Sequence, residues 1–336
     1  MTTKKILQRI ALILTPVMIL SCGNNKPKQA ATTPEQETQA LVAPDFNSDS
    51  AYHFVDKQVS FGPRVPNTEA HSKCAAWLTA KLKSYNWEVI VQKAKVRTFD
   101  NKTLNAQNII GSLNPASADR ILLCAHWDSR PFADEDPDPA NHNKPVPAAN
   151  DGASGVGVLL EIARQLALKN PGIGVDIIFL DAEDYGQPSS TGAQNEDSWC
   201  LGTQYWAKNP HKDGYKARFG ILLDMVGAQG ATFMKEEYSV MYAPDVVTNV
   251  WSKAAQLGFS QFFIEDNGGA VTDDHLVINK IMGIPTIDII HMDQTGRHSF
   301  FEYWHTLKDD MSNIDPKTLE AVGKTVLAVV NGSKNS

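Results

Sequence analysis

Cysteine is scarce in this chain of 336 residues: there are four, and no two stand at the close CxxC spacing that a structural zinc site uses. With Cys22 set aside, Cys74, Cys124 and Cys200 remain, an odd number that allows one disulfide and a free thiol without saying which pair would form. Positive charge is short as well, 31 Lys and Arg facing 38 Asp and Glu for a formal net charge of -7. That balance argues against nucleic acid as a partner and leaves peptides as the more natural ligand. Long apolar runs are missing, since the stretch over residues 10–20 is too short to span a bilayer as a helix. The sequence has no internal repeat, and its biased segments are residues 23–46 and a Pro- and Asp-rich stretch over residues 131–147.

What is there begins with a charged, then apolar, then small-residue order. Lys4, Lys5 and Arg9 precede the apolar run, and Ser21 and Cys22 follow it. This is the grammar of an export signal. A small residue before a cysteine resembles the cleavage point of bacterial lipoproteins, in which that cysteine is acylated. The expectation is a signal over residues 1–22 with lipidated Cys22, and an exported protein that meets the membrane only through this anchor and faces the periplasm or cell envelope. Residues 23–46 hold almost nothing apolar to bury, cannot offset the entropy of ordering, and read as a tether. Residues 47–336 are left as a single catalytic α/β domain, long for one unit but within the known range.

Apolar residues at helical spacing predict helices over residues 51–60, 68–85, 154–169, 198–208, 244–257, 273–280 and 316–331. Strand-like segments cover residues 88–96, 106–113, 120–126, 175–181, 217–226 and 284–290. The runs at 121–123, 175–180 and 221–223 are nearly unbroken apolar stretches, which suit strands covered on both faces. The alternation predicts a three-layer α/β sandwich, a central twisted sheet, largely parallel but mixed, flanked by helices. In sheets of this type ligands gather at the carboxyl ends of the strands.

Three strands run into acids or histidines at that end. The first leads to His126 and Asp128, the second to Asp181, Glu183 and Asp184, the third to Asp224. One such ending is unremarkable; three point to a common rim. Asp151 precedes a helix, where an acid is either a cap or a carboxylate held by backbone donors and aimed at a metal. Glu183 and Asp184 are either solvated loop acids or, at the end of a buried strand, neighbours that repel until a cation or proton relieves them. His305 lies among Phe300, Phe301, Tyr303 and Trp304, and in isolation would be a core histidine. With Asp151 and Asp184 it supplies the third ligand of a catalytic zinc site that keeps one position open, although the same donors suit other divalent ions. Asp134, Glu135, Asp136 and Asp138 offer oxygens to calcium, but a solvated loop pinned by Arg130 is the plainer reading.

In order along the chain, His126 with Asp128, residues 150–155, residues 179–184, Asp224, residues 272–275 and residues 304–306 resemble the family of zinc aminopeptidases and glutaminyl cyclases. The resemblance covers nearly all of residues 51–331. It implies a zinc exopeptidase-like fold, one Zn2+ per chain on Asp151, Asp184 and His305, and Glu183 as general acid and base. It also implies catalytic support from Asp224 and Asp273 in an acidic hydrogen-bond network, and substrate contact with Trp304, to which Phe301 is added as a second aromatic wall. Aminopeptidases of the family bind a second metal at the places of His126 and Asp224, so those identities do not separate the activities. Residues 273–275 and 304–306 look like the cyclase branch, nearest its bacterial form. The implied activity is closure of the N-terminal glutamine of peptides or proteins into pyroglutamate with release of ammonia. A two-zinc aminopeptidase and a non-catalytic peptide-binding lipoprotein stay open as alternatives. The chain departs from animal cyclases twice: Asp184 stands where they carry glutamate, and residues 185–198 lack the tryptophan that follows their acidic pair. Trp127 or Trp199 is left to fill that space.

Overall fold

The computed structural model describes residues 42–192, 195–293 and 299–335. The expected signal, Cys22 and nearly all of the tether lie outside the described residues. Phe46, at the tether's end, is already seated on the domain: a Cβ on Gly323 would meet its ring at 2.2 Å. Next to it, the Asn47 N–H donates to Glu161 Oε1 at 3.0 Å.

In chain order the main elements are α1 (Ser48–Val59), α2 (Glu69–Ser84), β1 (Glu88–Arg97), β2 (Thr103–Leu113), β3 (Arg120–His126), α3 (Ala153–Leu168), β4 (Gly174–Leu180) and α4 (Leu201–Lys208). There follow β5 (Gly220–Asp224), β6 (Phe233–Lys235), α5 (Glu237–Tyr242), α6 (Pro244–Gln256), β7 (Phe263–Asn267), α7 (Asp274–Met282), β8 (Thr286–Ile290) and α8 (Pro316–Gly332). Six strands form one sheet in the order β1-β2-β4-β3-β5-β8. The β1-β2 and β2-β4 pairs are antiparallel, and β4-β3, β3-β5 and β5-β8 are parallel. The mixed, largely parallel sandwich expected from the sequence is the fold.

The alternation of side chains along a strand explains the apolar runs. In β3, Ile121, Leu123 and Ala125 enter the core built with α1, α3 and α8, whereas Leu122 and Cys124 enter a second core with Trp206 of α4 and Ile278 of α7. Each aliphatic side chain so buried contributes about 1.5–3 kcal/mol. The polar residues beyond the strand ends therefore stand on a rigid base. Among the described residues no helix is long and apolar enough to cross a membrane.

The structure departs from the expected elements where apolar periodicity is weak. The expected strand at 217–226 shrinks to β5, and β6, α5 and β7 were not expected: β6 has three residues, and the last three residues of β7 are exposed. The helix expected from residue 198 starts at Leu201, because Cys200 adopts left-handed backbone with φ 56°. Cys74, Cys124 and Cys200 are all buried free thiols, so no disulfide forms among them.

Candidate active site

The turn after β4 is built to separate two neighbouring carboxylates. Ala182 holds φ at 53°, a conformation that costs a residue with a Cβ on the order of 1–2 kcal/mol. Asp181 stabilises it by accepting the Ala182 N–H at 2.8 Å, its other oxygen being tied to His71 Nε2 at 2.8 Å. Asp128 accepts the next two backbone groups, Glu183 N–H at 3.1 Å and Asp184 N–H at 3.3 Å. The two side chains are thereby sent to different partners. Glu183 Oε2 lies 3.9 Å from His126 Nδ1, whereas Asp184 Oδ1 lies 3.1 Å from His305 Nε2.

Asp151 is not a helix cap. The N-cap of α3 is Gly152, with φ 94° and no side-chain bond. Only glycine fits there, since a Cβ would come within 2.9 Å of both the Asp128 carbonyl and the His126 ring. Asp309 fixes the loop from the other side, accepting the backbone N–H groups of Asn150 at 2.7 Å and Asp151 at 3.0 Å. The Asp151 carboxylate is left to the two histidines, 3.0 Å from His126 Nε2 and 3.5 Å from His305 Nε2. His305 itself holds φ at 55° and is flanked by the rings of Trp304 and Trp199, with centroids at 3.7 and 6.0 Å.

Asp151, Asp184 and His305, distant in sequence, offer ligand atoms that all lie within 4.8 Å of one another. Burial, reinforced by the Arg130 guanidinium, pushes the His305 imidazole down to about 3, so it is neutral and has a lone pair to give. Its short contacts with the two aspartates are therefore not ion pairs. Burial also drives the Asp184 carboxyl well above its ordinary range, with Asp151 adding to the effect. The buried Asp184 Oδ2 accepts no hydrogen bond from the described residues. A neutral imidazole, two crowded carboxylates and an orphaned oxygen fit a divalent cation, and this donor set suits zinc. His126, Asp151 and Asp224 form a second group of one imidazole and two carboxylates, sharing Asp151 with the first; burial would lower the His126 imidazole, but Asp128, Asp151 and Asp224 outweigh it and hold it well above its ordinary range, unlike His305.

The acidic loop after Arg130 has structural work to do. Arg130 pairs with both oxygens of Asp134, at 2.6 and 2.7 Å, donates to the Asp184 carbonyl at 3.0 Å and lies 4.8 Å over the Trp199 ring. Asp136 accepts the Leu307 N–H at 3.1 Å, which anchors the segment carrying His305. The loop expected to be solvated and pinned by Arg130 is pinned by it, and it braces this cluster of donors.

Beside the cluster opens a cavity of about 290 Å³ walled by Trp199, Phe300 and Trp304 and reached by Glu183, Asp224 and Asp273. Of the two tryptophans left to fill the space of the one missing from 185–198, Trp199 lines the cavity, while Trp127 is buried and stacks on His71 at 4.4 Å. Phe301, expected as a wall, does not line the cavity. It is buried against His291 and Tyr303, at 5.9 and 5.5 Å, and its neighbour Phe300 faces the cavity instead. Trp304→Ala is expected to weaken substrate binding or turnover while the chain keeps its zinc; kinetics equal to wild type would contradict the assignment of Trp304 as a wall.

Burial lifts the Glu183 carboxyl well above its ordinary range; His126 opposes the shift, and Asp273 and Asp184 add to it. Cys200 donates its S–H to Glu183 Oε1 at 3.5 Å. The Asp224 carboxyl is pushed up to about 7 by burial, with Asp151 and Asp273 adding to it against a 3.2 Å hydrogen bond from His126. Asp273 caps α7 with one oxygen, and its other oxygen, though buried, has no hydrogen-bond partner among the described residues.

Glu236, which the sequence did not single out, holds the segment that leads to Asp273. Its buried carboxylate accepts Tyr238 N–H at 2.9 Å, Val271 N–H at 3.0 Å and the Ser239 hydroxyl at 2.7 Å, and pairs with His275 Nε2 at 3.0 Å. Burial alone would raise its carboxyl, but the hydrogen bonds, His275 foremost, outweigh it and hold it at about 2. A folded value below the unfolded one means stabilisation present above the ordinary carboxylate range and lost as pH falls toward 2. Glu236→Gln is expected to cost about 2–3 kcal/mol near neutral pH in urea denaturation. The gap to wild type should narrow below about pH 4, and a gap independent of pH would contradict this role.

A parallel-centred sandwich with this carboxylate and histidine rim defines a zinc exopeptidase-like protein. The model of peptidase family M28 matches residues 108–330, and the chain belongs to that family. Among solved structures the chain is similar to a Zn-dependent exopeptidase from Parabacteroides distasonis, with 54% identity, 86% of this chain and 99% of that one covered, and a TM-score of 0.85. It is equally similar to Bacteroides thetaiotaomicron glutaminyl cyclase bound to N-acetylhistamine, with 52% identity, coverage of 86% and 99%, and a TM-score of 0.85. Glutaminyl-peptide cyclotransferase of Bos taurus is 25% identical over 248 residues, 66% of this chain, which spans 65% of that protein's length.

Proposed function

We propose that this chain is a zinc-dependent glutaminyl-peptide cyclotransferase, holding one zinc per chain on Asp151, Asp184 and His305 and acting on peptides or proteins with an N-terminal glutamine. The observation that carries the reading is the cavity of about 290 Å³ beside that cluster, aromatic on its walls and ringed by Glu183, Asp224 and Asp273. Its size suits a glutamine side chain and the following peptide bond, and its carboxyls suit proton traffic. The likeness to a solved cyclase at 52% identity supports it.

In the reaction the α-amine nitrogen bonds to the side-chain amide carbon, the bond from that carbon to the amide nitrogen breaks, and ammonia leaves. Bound zinc supplies a Lewis acid for the amide carbonyl. Glu183, unbound beside the cluster, takes a proton from the attacking amine and returns one to the departing nitrogen. A carboxyl lifted toward neutrality is suited to both transfers. Asp224 and Asp273 accept hydrogen bonds from the leaving nitrogen. Trp304 and Trp199 exclude water, which this reaction does not need as a nucleophile.

The second reading, a two-metal aminopeptidase, draws on the His126, Asp151 and Asp224 group and on the similar exopeptidase. Incubation with glutaminyl and alanyl dipeptides, with ammonia and free amino acid measured separately, divides the two. Ammonia from the former with the latter left intact is expected. Cleavage of both without ammonia would replace the cyclase by the peptidase.

A further inference from the structure

An acid stands in the middle of β8, a strand otherwise committed to the core. Ile287 and Ile289 enter the core built with α1, α3 and α8, and by alternation Asp288 points the other way, beside Leu222 of β5 and the second core. It is fully buried, and neither of its oxygens has a hydrogen-bond partner among the described residues. Packing alone would favour an aliphatic residue there, because a buried carboxylate without a partner is costly enough to take up a proton instead.

Two other atoms beside it are buried and in the same position: Asp273 Oδ2 and His275 Nδ1 also lack a hydrogen bond among the described residues. Asp273, His275 and Asp288 each offer an atom within 4.8 Å of the other two. His275 is already committed, since its Nε2 pairs with Glu236 at 3.0 Å and its Nδ1 stays 3.7 Å from Asp288 Oδ2, too far for a hydrogen bond. Asp273 is left. We propose that Asp288 is a positioning residue for the cyclisation, a carboxyl that keeps its proton and donates it in a hydrogen bond to the free oxygen of Asp273, so that Asp273 is held toward the leaving nitrogen. The proposal rests on the cyclase reading above and adds a residue to its machinery.

Two facing carboxyls have no donor between them until one carries a proton. Burial drives the Asp288 carboxyl well above its ordinary range, and the charges of Asp273 on α7, Asp224 on β5 and Glu236 ahead of α5 add to the effect. The backbone on each side is fixed. Asp288 N–H donates to the Ser239 hydroxyl at 2.9 Å, and that hydroxyl donates to Glu236 at 2.7 Å. Asp273 Oδ1 accepts the Asp274 N–H at 2.5 Å, so Oδ2 is the oxygen left for Asp288. Asp273, which reaches the catalytic cavity, is thereby gripped by the first turn of α7 through one oxygen and by β8 through the other.

The test measures ammonia release from glutaminyl peptides with Asp288→Val and Asp288→Asn, each alone and in an Asp273→Asn background. Valine suits a strand but cannot donate, whereas asparagine keeps a donor and nearly the same shape. Asp288→Val is expected to lower kcat about tenfold or more, the range for a hydrogen bond to a charged group, with KM and zinc content unchanged. Asp288→Asn should keep most of the wild-type kcat. In the Asp273→Asn background the valine substitution should cost little more, since the group it acts through is already removed. A role in packing alone predicts the same loss in both backgrounds, and that result overturns the proposal. Wild-type kcat in a folded Asp288→Val protein does so too, as does an anomalous peak between His275 and Asp288, which would put a cation where the proton belongs. If the valine protein does not fold, Asp288→Asn decides: near-wild-type turnover upholds the donor role, and turnover as low as that of Asp273→Asn overturns it. Failure of the cyclase reading looks different: no ammonia from the wild type.

Discussion

Glu183→Gln is expected to lower turnover by roughly a hundredfold or more, the usual range for a positioned acid and base, while zinc stays bound. The separation follows from the turn at Ala182, which sends Glu183 toward His126 and Asp184 toward His305. The substituted amide would keep the shape of the side chain and the backbone bond to Asp128 but could not exchange a proton. Metal content and circular dichroism measured alongside the rate distinguish a chemical loss from a structural one. Wild-type turnover in a zinc-loaded Glu183→Gln protein would overturn the role.

His305→Ala is expected to abolish metal binding and activity together. Removing a ligand's outer partner costs metal sites about 10–100-fold in affinity, and removing the only imidazole of a three-ligand set costs more. The two aspartates left behind would be buried, crowded and without the neutral donor between them. Elemental analysis after dialysis should find the variant free of zinc, and ammonia release should fall below detection. Stoichiometric zinc in a folded His305→Ala protein would show that the cluster is not the metal centre.

The sheet, its mixed direction and the rim at the strand ends were legible because buried strands announce themselves as apolar runs and their polar endings stand out. Asp151, Asp184 and His305 were reached through motif order, and the structure brings their ligand atoms together. What escaped notice was the support around them. Asp309, Asp128 and Glu236 act through backbone N–H groups, and accepting such bonds leaves no pattern in the sequence beyond the presence of an acid. The acidic loop at 134–138 was rightly expected to be pinned by Arg130 but read as solvated, because composition does not reveal that Arg130 and Asp136 are buried. Phe301 was preferred to Phe300 because neighbouring aromatics are equivalent until the turn decides which one faces the cavity. The strands β6 and β7 were hidden by their shortness and by exposed polar residues.

The most direct measurement is an anomalous difference map at the zinc edge from crystals of the protein grown with zinc. A single strong peak among Asp151 Oδ2, Asp184 and His305 Nε2 is the expected result. A second peak of equal strength between His126 and Asp224, or none within reach of His305, would contradict a one-zinc cyclase.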